Sequence, residues 1–298
     1  MGLKVALQQI GGTRSRPATP FLVAVACSLL APGPPVAAAD GSTGSASRAN
    51  TAGYEPYVTV GIAAVRSSGA RFVDGADAGH AALYGSGNTF DDGTFDAGFT
   101  VDVAAGVRLG SALRAQLEFG VAGALNYRGN TNYRNAGAHQ PSEAVLDLSQ
   151  AFLVGFYEFP DWELSSSRRV SPFLGAGAGV TTYRLSGYVQ RFPDPENPHG
   201  SLRSGPGGEI PFTAIPDGRH RNRSWMLTGG VSIPIRERFQ LDLGYRYTDA
   251  GTIRTRTGDI TIVRYREEGT RRQIQVPINE TSAKLQTHAL FMTLRFDL

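Results

Sequence analysis

Residues 287–298, "THALFMTLRFDL", alternate with a period of two. Leu290, Met292, Leu294, Phe296 and Leu298 fall on one face, with Phe291, Thr293, Arg295 and Asp297 between them. Successive side chains of a strand point to opposite sides, so this stretch predicts a strand with one apolar and one mostly polar face. Residues 239–249, "FQLDLGYRYTD", repeat the pattern: Phe239, Leu241, Leu243, Tyr245 and Tyr247 oppose Gln240, Asp242, Gly244, Arg246 and Thr248. What the apolar faces touch has to come from the rest of the chain.

Six more segments join these two. In 56–64, Val58, Val60 and Ile62 share a face. In 99–109, Phe99, Val101, Val103, Val107 and Leu109 oppose Asp102 and Arg108. In 113–127, Leu113, Leu117, Phe119, Val121, Leu125 and Tyr127 are expected to face one way, and Arg114, Gln116, Glu118 and Asn126 the other. Residues 146–159 are apolar on both parities and cannot be oriented. Residues 172–183 set Leu174, Ala176, Ala178 and Val180 against Gly175, Gly177 and Gly179, and 225–235 align Trp225, Leu227, Val231, Ile233 and Ile235. A soluble sandwich turns its polar face to bulk water and its apolar face to a partner sheet. A transmembrane barrel turns apolar residues to lipid and fills its interior with polar and small ones. Arginines in mid-face and aromatics at segment ends suit the barrel.

The connections point the same way. Short gaps at 110–112, 160–170 and 236–238 alternate with long ones near 65–94, 128–144, 186–224 and 249–284. Short turns at one end and long loops at the other mark an up-and-down barrel of the bacterial outer membrane. The expected fold is therefore all-β: an antiparallel transmembrane barrel of eight strands with short periplasmic turns, long extracellular loops and both termini periplasmic. The run 259–278 reads as two alternating segments meeting at Glu268-Gly269, a hairpin placed above the membrane. Were it inserted in the wall, the barrel would have ten strands.

"PFLGAGAGV" (172–180), "GVSIPIRERFQLDLGYRYTDAGTI" (230–253) and "THALFMTLRF" (287–296) resemble the last strands of the small opacity-protein and OmpA-type outer-membrane barrels. The resemblance implies that the final strand closes on the first. It also implies that the alternating end is the signal read by the outer-membrane insertion machinery. The family's terminal residue is usually aromatic; here Phe296 stands two residues before Leu298.

The chain has 298 residues, with 29 Lys and Arg against 26 Asp and Glu, and one cysteine. Lys4, Arg14 and Arg16 precede an apolar run, Phe21 to Ala31, and then Val36-Ala37-Ala38-Ala39, the order of a secretory signal peptide over 1–39. Cleavage there removes Cys27 and three basic residues, so the mature balance is 26 − 26 = 0 and gives no argument for a nucleic-acid partner. Residues 40–53 are small and polar, a flexible periplasmic lead-in to a barrel over 54–298.

Three features are candidates for function. Asp102, Arg108, Arg114, Glu118, Asp242, Arg246 and Arg295 lie on inward parities, and Asp297 shares their parity. An eight-stranded interior is just wide enough for side chains to fill. Such charges are expected to pair across neighbouring strands, Asp242 with Arg295 first and Arg246 second. Inward glycines at 175, 177 and 179 would leave a water-filled gap if the barrel conducts. In the last loop Arg264, Arg266, Arg271 and Arg272 form a basic patch suited to the phosphates of lipopolysaccharide or a sulfated host glycan, a host or surface ligand. His288 lies on the lipid-facing parity, but no segment shows an outward serine and acid beside it, and the sequence gives no catalytic residue. His80, His139, His199, His220 and His288 lack ligand spacing, so neither metal nor cofactor is expected. The reading is a membrane-embedded surface protein with a structural or interaction role, including adhesion, through its loops; the alternative is a narrow porin-like channel for small solutes.

Overall fold

The computed structural model describes residues 54–298 except 76–78, 83–84, 86, 132–139, 166–167, 194–202 and 267. The expected leader with Cys27, the expected lead-in, His139 and His199 lie outside the described residues. The strands are β1 Tyr54–Ser67, β2 Ala70–Asp74, β3 Thr89–Phe95, β4 Gly98–Leu109, β5 Leu113–Thr131, β6 Pro141–Glu158 and β7 Trp162–Ser165. They continue with β8 Arg168–Arg191, β9 Phe212–Ala214, β10 Gly218–Arg236, β11 Phe239–Arg254, β12 Gly258–Tyr265, β13 Arg271–Ile278 and β14 Thr281–Asp297.

Eight of these, β1, β4, β5, β6, β8, β10, β11 and β14, form a closed ring in that order, each antiparallel to the next. The ring shuts where Tyr57 to Ser67 of the first strand pair with Asp297 to Thr287 of the last. Closure removes the free edges that could not survive in lipid. The ten-stranded alternative fails because β11 pairs directly with β14, while β12 pairs with β13 and with the short β9.

At the short-turn half of the ring the outward side chains are apolar: Val60, Ile62, Val101, Val103, Leu117, Phe119, Leu153, Leu227, Met292 and Leu294 are all exposed. Exposure on this scale is unfavourable in water and favourable in hydrocarbon. Aromatic side chains bracket the belt, Phe99, Trp225 and Tyr245 at one rim and Tyr54, Tyr157, Trp162 and Phe239 at the other. These are the girdles of a membrane barrel.

The strands are longer than a membrane requires. β5, β8 and β10 have 19, 24 and 19 residues, whereas a tilted strand crosses in about nine to eleven. The stretch 186–224, counted from the sequence as a long gap between strands, is shortened at both ends, because β8 continues to Arg191 and β10 begins at Gly218. The extension has its own packing. A β-bulge in β5 between Ala122 and Leu125 shifts the register by an odd step, and an odd step exchanges faces. Leu125 and Tyr127 therefore point inward, not to lipid as the unbroken alternation had suggested, and both are buried. Gly187 in β8 and Gly251 in β11, with φ of 63° and 80°, sit at register shifts against β6 and β14 and bring Tyr188 and Ile253 inside. Left-handed backbone is the conformation glycine supplies at such bulges.

The ambiguous segment 146–159 is oriented by the ring. Phe152, Val154, Phe156 and Glu158 point inward while Leu153 and Tyr157 face out. The glycines opposite them leave no gap: a Cβ on Gly175 would lie 2.6 Å from the Phe156 ring, and one on Gly177 3.1 Å from Met226 Cγ. They make room for large neighbours.

Candidate functional site

Inside the short-turn half, four arginines meet four carboxylates. Arg114 on β5 reaches across the barrel to Asp242 on β11, Nη1 to Oδ2 3.0 Å, and its Nε lies 3.1 Å from Glu158 Oε1 on β6, without hydrogen-bond geometry. Arg295 on β14 donates from Nη1 to the same Glu158 oxygen at 3.0 Å and is 3.6 Å from Asp242. Arg108 lies 3.4 Å from Glu158 Oε2, at the end of the lumen near Glu55. A second group surrounds Arg246, with Glu118 at 2.7 Å and Asp102 at 4.0 Å. Tyr57 joins the groups by donating to Gln116 Oε1 at 3.1 Å, while Gln116 Nε2 donates to Glu118. Ser232 donates to the other Asp242 oxygen at 2.6 Å.

The expected pair of Asp242 with Arg295 on the neighbouring strand is present at 3.6 Å, but two features differ from expectation. Asp242 has its shortest contact with Arg114 on a non-neighbouring strand, because the narrow lumen brings opposite walls within side-chain reach. Arg246 serves Glu118 and Asp102, not Asp242. Asp297 stands apart at the rim, where Gln240 donates to it at 3.2 Å. Glu158 is the residue the sequence reading missed, since its segment could not be oriented. It is also the most connected anion, touching Arg108, Arg114 and Arg295. The guanidinium of Arg114 lies 4.0 Å from the Phe156 ring centroid and 5.0 Å from that of Phe173, so aromatic faces cover the charge.

Above this level the lumen becomes apolar. Phe72, Phe95, Leu125, Tyr127, Leu146, Leu185, Ile253 and Leu285 form a core, with Asp91 set in it. Its carboxylate accepts from Tyr127 at 3.1 Å and from Tyr188 at 2.5 Å. Burial pushes the Asp91 pKa up, and hydroxyls from Ser142, Tyr188 and Tyr127 oppose that rise.

The four arginines expected to make one basic patch divide. Arg264 is a strut: it donates to the Phe212 and Val263 carbonyls at 3.1 and 2.8 Å and stacks 4.6 Å from the Phe192 ring centroid. Arg272 is its cross-strand partner, whereas Arg271 pairs with Tyr265 and so faces the other side. Arg266, Arg271 and Arg272 are exposed. On the outer wall, Ser68 Oγ lies 2.7 Å from His288 Nε2, and His288 Nδ1 is hydrogen-bonded to the Tyr245 hydroxyl. No sequence pattern points to Ser68, which lies in the long gap at 65–94.

The Outer membrane protein beta-barrel domain family matches residues 28–265. The chain belongs to this family of outer-membrane β-barrels. No curated protein matches it in sequence. Among solved structures, Neisserial surface protein A is 16% identical with a TM-score of 0.40, covering 83% of this chain and 99% of its own. The outer membrane protein OprG of Pseudomonas aeruginosa is 10% identical, TM-score 0.39, with 82% and 97% covered. The outer membrane protease OmpT of Escherichia coli is 8% identical, TM-score 0.36, with 84% and 99% covered.

This barrel is thus an integral outer-membrane protein. Its lumen carries compensated charge in one half and an apolar core in the other. Its wall carries a hydrogen-bonded serine, histidine and tyrosine at the rim of the apolar belt.

Proposed function

We propose that the barrel is a surface-presenting protein whose long-loop end faces outward and makes its contacts, and that it is not an open channel. The observation that carries this reading is the filled lumen: charges neutralise one another between Tyr57 and Phe173, and the aromatic core closes the space above. An eight-stranded barrel leaves little room once such side chains are in place. Both termini then lie in the periplasm, after export by the 1–39 leader, and the last strand is the element read by the insertion machinery.

The exposed Arg266, Arg271 and Arg272 of the β12–β13 hairpin offer guanidinium groups to an anionic surface ligand. Arg184, Arg219, Arg221 and Arg223 stand exposed on the adjacent strands β8 and β10, directly above Trp225. That is the height of the outer-leaflet headgroups if the long-loop end is outside, which favours contact with lipopolysaccharide phosphates. The test is single-channel recording of the purified protein in planar bilayers. Silence supports the surface role, and reproducible conductance steps favour the narrow channel. A protease site inserted near Gly205, in the exposed part of its long loop, should be cut on intact cells; cutting only after the outer membrane is ruptured would reverse the orientation.

A further inference from the structure

At the long-loop rim of the apolar belt, three side chains from three separate parts of the wall converge. Ser68 follows β1, where Gly69 with φ of 113° turns the chain into β2. Its amide donates to the Gln286 carbonyl at 3.0 Å, which fixes the backbone that carries the hydroxyl. Ser68 Oγ is 2.7 Å from His288 Nε2, and the Tyr245 hydroxyl holds Nδ1 of the same ring. Beside the serine the wall opens. β1 pairs with β14 up to Ser67↔Thr287, and β2 resumes pairing only at Val73↔Ser282. The interval is a cleft of about 600 Å³ lined by Ser68, Arg71, Thr252, Lys284 and Gln286, among others.

A serine hydroxyl becomes a competent nucleophile when an adjacent imidazole can take its proton. Nε2 accepts that proton if Nδ1 carries the ring hydrogen and donates it to the tyrosine oxygen. Tyr245 then fixes the tautomer, the part a carboxylate plays in most serine hydrolases. A rim histidine that only anchors the barrel needs one interfacial hydrogen bond. Here both ring nitrogens are engaged, and the hydroxyl on one of them opens onto a cleft.

The geometry points to an acyl-ester hydrolase site on the outer wall, with Ser68 as nucleophile, His288 as general base and Tyr245 as positioning residue. Ser68 Oγ bonds to the carbonyl carbon of the ester while its proton passes to His288 Nε2. The acyl C–O bond breaks, and the departing alkoxide takes that proton. Water, deprotonated by His288, attacks the acyl-serine; the fatty acid leaves and Ser68 regains its proton. The sum is ester plus water giving acid plus alcohol. The substrate class is a long-chain acyl ester of an anionic membrane lipid, because acyl chains reach the rim from the adjoining lipid and Arg71 and Lys284 line the cleft. Arg71 is shared with Asp92 at 3.3 Å. That lipid is lipopolysaccharide if the long-loop end is outside, as proposed above, and a glycerophospholipid carries the same ester.

The test uses the full-length folded barrel in detergent micelles and does not depend on its orientation or conductance. A fluorophosphonate probe should label Ser68, located by peptide mass spectrometry, with no label in Ser68→Ala. His288→Asn should slow labelling at least about tenfold. Hydrolysis of 4-nitrophenyl octanoate should fall by about a hundredfold or more in Ser68→Ala. Tyr245→Phe should lower kcat with little change in KM, a split that loss of wall stability would not produce. Heat-modifiable gel migration shows that each variant is folded. Fatty-acid release from lipopolysaccharide micelles or from phosphatidylglycerol vesicles tells which lipid supplies the ester, and Lys284→Ala should raise KM for it. A folded wild-type protein that takes no label at Ser68, or hydrolyses the ester no faster than Ser68→Ala, overturns the site. Release from neither lipid overturns the substrate class.

Discussion

The two halves of the barrel are built from the same eight strands with their faces exchanged. In the short-turn half, Leu117, Phe119 and Leu153 face outward and Arg114, Glu118 and Glu158 face inward. In the long-loop half, Leu125, Leu146, Leu185 and Ile253 are inside, and Arg128, Arg184 and Arg221 are outside. Each half obeys the hydrophobic effect, but the solvent around it differs: hydrocarbon for one and water for the other. On β6 and β14 the exchange is made by residue type along an unbroken alternation. On β5, β8 and β11 it is helped by bulges that flip the chain by one residue. A barrel of this kind is a membrane protein continued upward as a water-soluble one.

The largest effect is expected from deleting Arg295 to Leu298. Pairings at Tyr57, Val58 and Thr59 would be lost, leaving backbone groups unpaired in lipid at several kcal/mol each. The truncated protein should fail to insert, and normal heat-modifiable migration would contradict closure at this seam. Next, Asp242→Ala leaves Arg114 and Arg295 short of an anion within the buried lumen. It should lower unfolding free energy, read by urea titration in detergent or lipid, on the order of 3–5 kcal/mol. Asp242→Ala combined with Arg114→Ala should cost clearly less than the two single losses added, because a stranded charge leaves with its partner. Additivity would mean that the lumen charges are not coupled.

A third test compares the walls directly. Leu153→Arg in the belt should cost about 2–4 kcal/mol, whereas Arg221→Leu above it should stay within about 0.5 kcal/mol. Equal costs would remove the distinction between lipid-facing and water-facing wall. The smallest effect concerns Asp91 in the upper core. Its pKa is raised by burial, so the folded state binds its proton more firmly than the unfolded chain does. That contribution to stability is complete below the unfolded pKa and is lost as pH rises through the folded one. Asp91→Asn should flatten this slope, and an unchanged pH profile would show that Asp91 does not titrate on unfolding.

The sequence by itself determined the lower half. Period-two alternation in "FQLDLGYRYTD" and "THALFMTLRFDL", with the rhythm of short and long gaps, was enough for an antiparallel barrel and for the lipid-facing side of seven strands in that half, whereas the closing of the last strand on the first was implied only by the family resemblance. Alternation is a local property of a strand and survives without knowledge of any neighbour. Tertiary structure alone decided the rest. The inward turn of Leu125 and Tyr127 depends on a bulge, which is a relation between two strands. The partner of Asp242 depends on the width of the lumen, and Glu158 joined the network only when its neighbours fixed its face. Ser68 and His288 are 220 residues apart and meet because the last strand closes on the first, a contact that no periodicity within either strand contains.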